Sequence, residues 1–464
     1  MVIDEIRNDF ARLQDELLTG PIYPNVTPEE IRSHLASYYD FTKAMDLNAV
    51  VDDVEQMMRI WQVQITHPRY FGLFNPSVRL ASVIADALVA MYNPQLAAWR
   101  TSPAANEIER HTLGWLSKKF GLPDNTIATF TSGGSEANFS AVVVALTHTF
   151  PRYGEHGLQG LSAAPAIYLS EEAHHSFGKI AHMTGLGRHA VRMVATHADL
   201  TMDIADLERR VAEDRASGLA PMMVVGTAGT TAAGAIDPLQ EIGSFCRREN
   251  LWFHVDAAWG GAAIVSPALR HFLAGIEEAD SITCDAHKWF SVSMGCGMFF
   301  CRHADSVART FRAEASYMPG RATGTAFDPY TSSVQWSRRF IGLKLFLTLA
   351  EKGEGGQAAA IEHQTRMADV MREALIDSGW RIVNDTPLPL ICFTRDGLDI
   401  DRFLASMREQ QIAWMSETRI KEARVLRACV TSFKTTENDV RWVVGEMNRL
   451  VAHEDVNQLA PAEC

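Results

Sequence analysis

The chain has 464 residues, 47% of them hydrophobic and 21% charged, enough apolar material for a large core spread over more than one domain and too much for a disordered chain. Its net charge is −13 and it has no long basic run, which excludes the phosphate-backbone attraction that nucleic-acid binders rely on. Its seven cysteines are odd in number and contain no C-x-x-C pair, so they read as core thiols of a reducing compartment and not as a disulfide framework.

In chain order, MVIDEIRNDF lacks the basic and apolar regions of a secretory signal, and no apolar stretch is long enough to span a bilayer. The expectation is a cytoplasmic protein with no membrane partner. Ile3, Ile6, Phe10, Leu13 and Leu17 recur at spacings of three and four, the mark of one helical face. The Pro-rich PIYPNVTPEE after it lets this helix stand off and pack on a second subunit, or dock on its own domain. From about 126 to 302, the runs TIATF, APAIYL, AVRMVA, PMMVVGT, LWFHVDA, SITCDA and GMFFCR alternate with helical patterns. That alternation predicts an α/β domain around a mostly parallel, buried sheet with its chemistry at strand ends. Trp336, Phe340, Leu343, Leu347 and Ala350 predict a long helix that EKGEGG stops. Beyond it, RIVN, LPLICFTR, IAWMSE and RVLRACVTS read as strands of a smaller α+β domain. A final helix is N-capped by Thr436 with Asp439 and buries Val440, Val443, Val444, Met447 and Leu450. The expected division is 1–75 as a helical segment packing on a partner subunit, 76–352 as a large domain and 353–464 as a small one.

Several strand ends carry reactive groups. In SITCDAHKWF, Lys288 follows a histidine where an apolar run ends; a lysine in a partly desolvated site can form an imine with an aldehyde cofactor, although the tetrapeptide alone equally fits a surface lysine. Asp256 ends LWFHVDAAWGG thirty-two positions earlier (288 − 256). An acid there is costly unless paired, and a pyridine nitrogen is a suitable partner. Ala258 is small enough to let a ring lie against the backbone. His254 and Asp256 also resemble a metal pair, but no third and fourth ligand stand at credible spacing. TFTSGGSEANFS is a strand, a Gly-Gly turn and a helix opened by Ser135 and Glu136, an arrangement that suits a phosphate, although taken alone such a turn is more often a plain connection. His174, in SEEAHHSFGKIA, can stack on a conjugated ring, and Thr227, Thr230 and Thr231 offer hydroxyls or merely stabilise a turn.

Together these residues resemble the group II pyridoxal-phosphate-dependent decarboxylases, which include aromatic-amino-acid, glutamate, cysteine-sulfinate and diaminobutyrate enzymes. The likeness runs from HPRYFGLFNP at 67 to the C-terminal helix and is carried most specifically by HVDAAWGG (254–261) and DAHKW (285–289). It implies fold type I, that is, a large domain with a mostly parallel seven-stranded sheet plus a small C-terminal α+β domain. It also implies pyridoxal 5′-phosphate as cofactor and an obligate homodimer with the active site between subunits. By the resemblance, Lys288 is the Schiff-base lysine, Asp256 the partner of the pyridine nitrogen and His174 the histidine stacked on the ring. Gly134, Ser135, Asp285 and His287 lie at or near the phosphate, Thr230 beside the cofactor, and Arg427 near the substrate carboxylate, unless Arg427 is a domain-interface ion pair. Asp285 departs from the Asn common in relatives, which puts its exact partner in question. The segment AEASYMPGRATGTAFDPYTSSVQWSRR corresponds to a loop closing over the partner's site, with Tyr330, favoured over Tyr317, as the proton donor to Cα.

The implied reaction is decarboxylation of an L-amino acid to its amine. FGLFNPSV, with Leu73, Phe74 and Trp99, points to an apolar or aromatic substrate side chain, while Arg100 beside Trp99 would suit an acidic one. The alternatives are an aldehyde-forming oxidative decarboxylase, an aminotransferase of the same fold type, and a non-enzymatic binding protein.

Overall fold

The computed structural model describes residues 2–75, 77–311 and 326–459. Its main sheet has the order β1-β7-β6-β5-β4-β2-β3, formed by β1 (Ile127–Thr131), β2 (Pro165–Ser170), β3 (Val191–Val194), β4 (Ala220–Thr227), β5 (Trp252–Asp256), β6 (Ser281–Asp285) and β7 (Gly297–Cys301). These are the seven expected strands. Only β7 runs antiparallel to its neighbours. Every residue of β5, β6 and β7 is buried, because helices cover both faces, and that is why these strands read as unbroken apolar runs.

A second sheet of order β10-β11-β9-β8 comprises β8 (Arg381–Ile382), β9 (Leu390–Thr394), β10 (Ser416–Ile420) and β11 (Ala423–Cys429). It packs with the helix Glu437–Leu459, whose Val440, Val443, Val444, Met447 and Leu450 are buried in a cluster with Phe393, Phe403 and Leu426. The expected capping is present: Thr436 Oγ1 accepts from the Asp439 N–H at 3.3 Å, and an Asp439 carboxylate oxygen accepts from the Thr436 N–H at 2.9 Å.

Two expectations are corrected. The long helix begins at Leu343, so Trp336 and Phe340 precede it, and it does not end at EKGEGG: it is interrupted at Gly353 (φ 63) and continues to Asp377. The segment before it is held by a buried ion pair, Arg338 Nη2 to Glu109 Oε2 at 2.7 Å, with Glu109 Oε1 accepting from the Gly342 N–H. IAWMSE becomes a strand only from Ser416, since Trp414 is taken up by a parallel bridge to Tyr70 and a ring contact at 5.1 Å. Six cysteines are free, buried thiols; Cys464 lies outside the described residues.

The sheet aligns chemistry along one edge. Thr227 of β4 pairs with Asp256 of β5, and Asp256 with Thr283 of β6, two residues before Asp285. The carboxyl ends of three parallel strands therefore present Thr227, Asp256 and Asp285 side by side. Gly297 opens the reversed β7 between Thr131 and Asp285, and a Cβ there would fall 2.6 Å from Gly133 Cα and 2.5 Å from Thr131 Oγ1. Gly297→Ala should therefore shift the Gly133–Gly134 turn and cost about 1–3 kcal/mol of stability. Denaturant unfolding and cofactor titration of the variant check this; unchanged values for both would mean the turn yields without cost.

Candidate active site

At this edge lies a cavity of about 360 Å³ lined by residues that include Phe74, Gly134, Ser135, His174, Asp256, Ala258, Asp285, His287 and Lys288. All but Phe74 come from a strand end or the turn after it. Asp256 closes β5, Asp285 closes β6, and Lys288 sits in the turn that follows. Gly134 starts the helix Gly134–Thr149 after β1, and His174 follows β2.

Asp256 is 5% exposed. Its Oδ2 accepts from Asn138 Nδ2 at 2.8 Å and its Oδ1 from the Ala258 N–H at 3.1 Å. Lys288 Nζ is 3.1 Å from Asp285 Oδ2, and His287 Nε2 is 3.8 Å from the same oxygen. Asp285 thus faces the lysine, which gives its carboxylate a cationic partner. His287 Nδ1 accepts from the Cys296 N–H at 3.2 Å, and burial pushes the imidazole below its ordinary value. His174 stands at the cavity mouth, exposed on its outer side. The surrounding protein still pushes its imidazole downward, with nearby Asp256 opposing. Its Nδ1 accepts from the Ser176 N–H at 3.2 Å, so in the neutral ring the proton resides on Nε2.

The cavity suits pyridoxal 5′-phosphate. Buried Asp285 Oδ1 and Thr227 Oγ1 find no hydrogen-bond partner among the described residues, so the walls hold unused polar capacity. A Cβ at Gly134 would lie 2.9 Å from Asp285 Oδ2 and 3.2 Å from Ala258 Cβ; without it, the helix N-terminus remains open to an anion.

Other expected residues stand elsewhere. Thr230 Oγ1 accepts from the Ala235 N–H at 3.0 Å, tying the turn together, and Thr227 and Thr231 line the cavity instead. Arg427 is buried behind Phe74. Its Nε donates to Thr231 O and Nη1 to Gly72 O, its charge lies 5.1 Å from the Phe74 ring, and Nη2 finds no partner among the described residues. Arg427 makes no domain-interface ion pair among them. Trp99 and Tyr330 sit together outside the cavity of their own chain: Trp99 N donates to Asp328, Tyr330 N to Ala97 O, and Tyr330 stacks on Trp336 at 4.8 Å. Tyr317 and residues 313–325 of the expected lid lie outside the described residues. Asn138, Glu136 as a binding group and Trp259 were not singled out as site residues by sequence. Asn138 lies four residues after Gly134, on the same helical face, which is the one signal that would have found it.

Comparison with known proteins follows the geometry. Residues 28–395 match the pyridoxal-dependent decarboxylase conserved domain. The chain is 30% identical over 360 residues to tryptophan decarboxylase 2 of Oryza sativa subsp. japonica, covering 75% of this chain and 71% of that protein. It is 31% identical over 379 residues to L-2,4-diaminobutyrate decarboxylase of Acinetobacter baumannii, covering 77% and 72%. The crystal structure of Oryza sativa TDC with PLP and tryptamine superposes with a TM-score of 0.90 at 24% identity, over 97% of each chain.

Behind Asp256, the fully buried His254 is pushed by burial from 6.5 to about 4. Between those values the unfolded chain binds the proton that the folded chain refuses, so this contribution to stability is complete above about 6.5 and is lost as the pH falls toward 4. The loss attributable to His254 should be on the order of 3 kcal/mol, and His254→Gln should remove it from the pH dependence of denaturant unfolding. An identical slope in the variant would show that His254 is not the titrating group.

Proposed function

We infer that this chain, which belongs to the pyridoxal-dependent decarboxylase family and removes CO2 from an amino acid with pyridoxal 5′-phosphate, acts on an L-amino acid with an aromatic or apolar side chain. The supporting observation is the cavity wall. Phe74 stacks on Trp259 at 4.3 Å, and Trp259 on Trp289 at 5.5 Å. Lys288 is the only lysine or arginine among the described lining residues, so a second carboxylate on the substrate finds no spare cation there.

Bound in the cavity, the cofactor supplies an electron sink for the pair left on Cα when CO2 departs. Lys288 would hold it covalently through its amine, and Asp256 would pair with its ring nitrogen. Gly134, Ser135 and His287 would offer backbone and side-chain donors to its phosphate, Asp285 holds Lys288 in place, and Ala258 would leave room for the ring. Arg427, whose buried Nη2 finds no partner among the described residues, would reach the substrate carboxylate once Phe74, which covers it, moves aside, a charge-assisted bond that also orients the scissile group. His174, with its proton on Nε2, is the donor to Cα that lines this chain's own cavity.

Tyr330 and Trp99 reach a cavity only if it belongs to a second copy, and the N-terminal arm supports that assembly. The helices Pro28–Tyr38 and Leu47–Ile60 bury no residue, while Phe41 is 91% and Leu47 72% exposed. Such an apolar surface calls for a partner, and a homodimer built on residues 1–75, with units 76–352 and 353–464 behind them, supplies it. The buried thiols fit a cytoplasmic location. Among the described residues no helix is long and apolar enough to cross a membrane.

Lys288→Ala should lose both borohydride fixation of the cofactor and amine formation while remaining folded. Fixation of cofactor in the variant at the wild-type level would refute the assignment. A screen of amine products against the common amino acids tests the substrate; preference for glutamate or cysteine sulfinate would overturn the aromatic reading. Arg427→Ala should raise KM at least tenfold, as expected for loss of a charge-assisted bond to the substrate, and an unchanged KM would leave Arg427 a packing role only.

A further inference from the structure

A continuous hydrogen-bond chain runs behind Asp256, through the sheet and away from the cavity. Asp256 Oδ2 accepts from Asn138 Nδ2 at 2.8 Å, and Asn138 Oδ1 lies 3.0 Å from His254 Nε2. His254 Nδ1 lies 2.8 Å from Ser281 Oγ, which accepts from Trp252 Nε1 at 2.8 Å. Each intervening side chain is buried: Asn138 is 1% exposed, His254 and Ser281 0%, and Trp252 4%. Weaker contacts flank the chain, Asn138 Nδ2 to Ser176 Oγ at 3.4 Å and Thr283 Oγ1 to His254 Nε2 at 3.5 Å.

With a neutral imidazole, the Asp256 end fixes every proton in the chain. An indole N–H can only donate, so Ser281 accepts from Trp252, and its own proton is left for the lone pair of a neutral His254 Nδ1. A carboxylate can only accept, so Asn138 must present its NH2 to Asp256 and its carbonyl to His254, whose Nε2 must then carry the proton. Burial keeps the imidazole neutral, and the Asn138 carbonyl then fixes its tautomer. All donors point toward Asp256, and aligned bonds in a dry interior polarise one another in the same sense.

We propose that Asn138 and His254 are positioning residues that hold Asp256 aimed at the cofactor's ring nitrogen, with Ser281 and Trp252 locking the histidine tautomer. The proposal rests on the reading of Asp256 as that nitrogen's partner. Asn138 acts on Asp256 directly and His254 through Asn138, so losing either should weaken the grip on a ring that has a nitrogen and spare a ring that lacks one.

The test titrates the apo-protein, by quenching of tryptophan fluorescence, with pyridoxal 5′-phosphate and with its 1-deaza analogue, in which C–H replaces the ring nitrogen. Asn138→Leu and His254→Phe should each raise the Kd for pyridoxal 5′-phosphate roughly tenfold, the scale of one charge-assisted bond, and change that for the analogue less than twofold. His254→Gln keeps a donor facing Asn138 and should recover most of the loss. Equal weakening toward both compounds, or no weakening toward either, overturns the proposal. If Asn138→Leu fails to fold, the Phe and Gln variants of His254 decide it between them. Wild-type protein that binds both compounds equally would overturn the role given to Asp256 itself, a failure distinct from that of the relay.

Discussion

The structure depends on keeping one carboxylate charged where little water reaches it. Moving an ion into such surroundings costs several kcal/mol, and a hydrogen bond to a charged group returns about 1.5–3. Asp256 receives two, from Asn138 and from the Ala258 backbone, which offset much of the cost and leave the face toward the cavity for a cation. The partner proposed for that face is the protonated ring nitrogen of the cofactor. The same arithmetic makes cofactor binding a source of fold stability, since a ligand that binds only the native state stabilises it by mass action.

Position along β5 follows from that constraint. Asp256 is the last residue of a wholly buried strand, so its backbone is fixed by β4 and β6 while its side chain emerges at the sheet edge. Asp285 repeats the pattern one strand over, and Lys288 in the next turn reaches back to it at 3.1 Å. Parallel strands bring residues far apart in sequence to one line without any loop having to fold on its own. The reversed β7 adds the close approach at Gly297 that seats the glycine turn.

This architecture explains what the sequence revealed. Strands buried on both faces are continuous apolar runs, so β5, β6 and β7 were most legible, and the groups ending or following strands stood out as polar breaks: Asp256, Asp285, Lys288 and His174. The start of the long helix was misread because Trp336 and Phe340 happen to fall at helical spacing. Their packing has another cause: Trp336 stacks on Tyr330, and Phe340 joins Val89, Leu96 and Ala105 in a separate buried cluster. Thr230 could not be told from Thr227 and Thr231, because which hydroxyl turns inward is set by the bond to Ala235 and not by spacing. Asn138 was hidden for the opposite reason, as one polar residue inside a helix whose partners, His254 and Asp256, come from another strand.

The segment after residue 325 links this site to the outside of the molecule. Gln335 Nε2 donates to both oxygens of Glu136, at 3.0 and 2.8 Å, and Glu136 Oε2 also accepts from the Ser132 N–H and hydroxyl. One carboxylate therefore ties the glycine turn to the stretch that carries Tyr330. A few residues earlier the same stretch grips Trp99 through Asp328 and Ala97 through the Tyr330 N–H. Residues 97–99 and 328–335 thus form one unit, anchored at one end on the wall of its own cavity and holding two aromatic rings away from that cavity at the other.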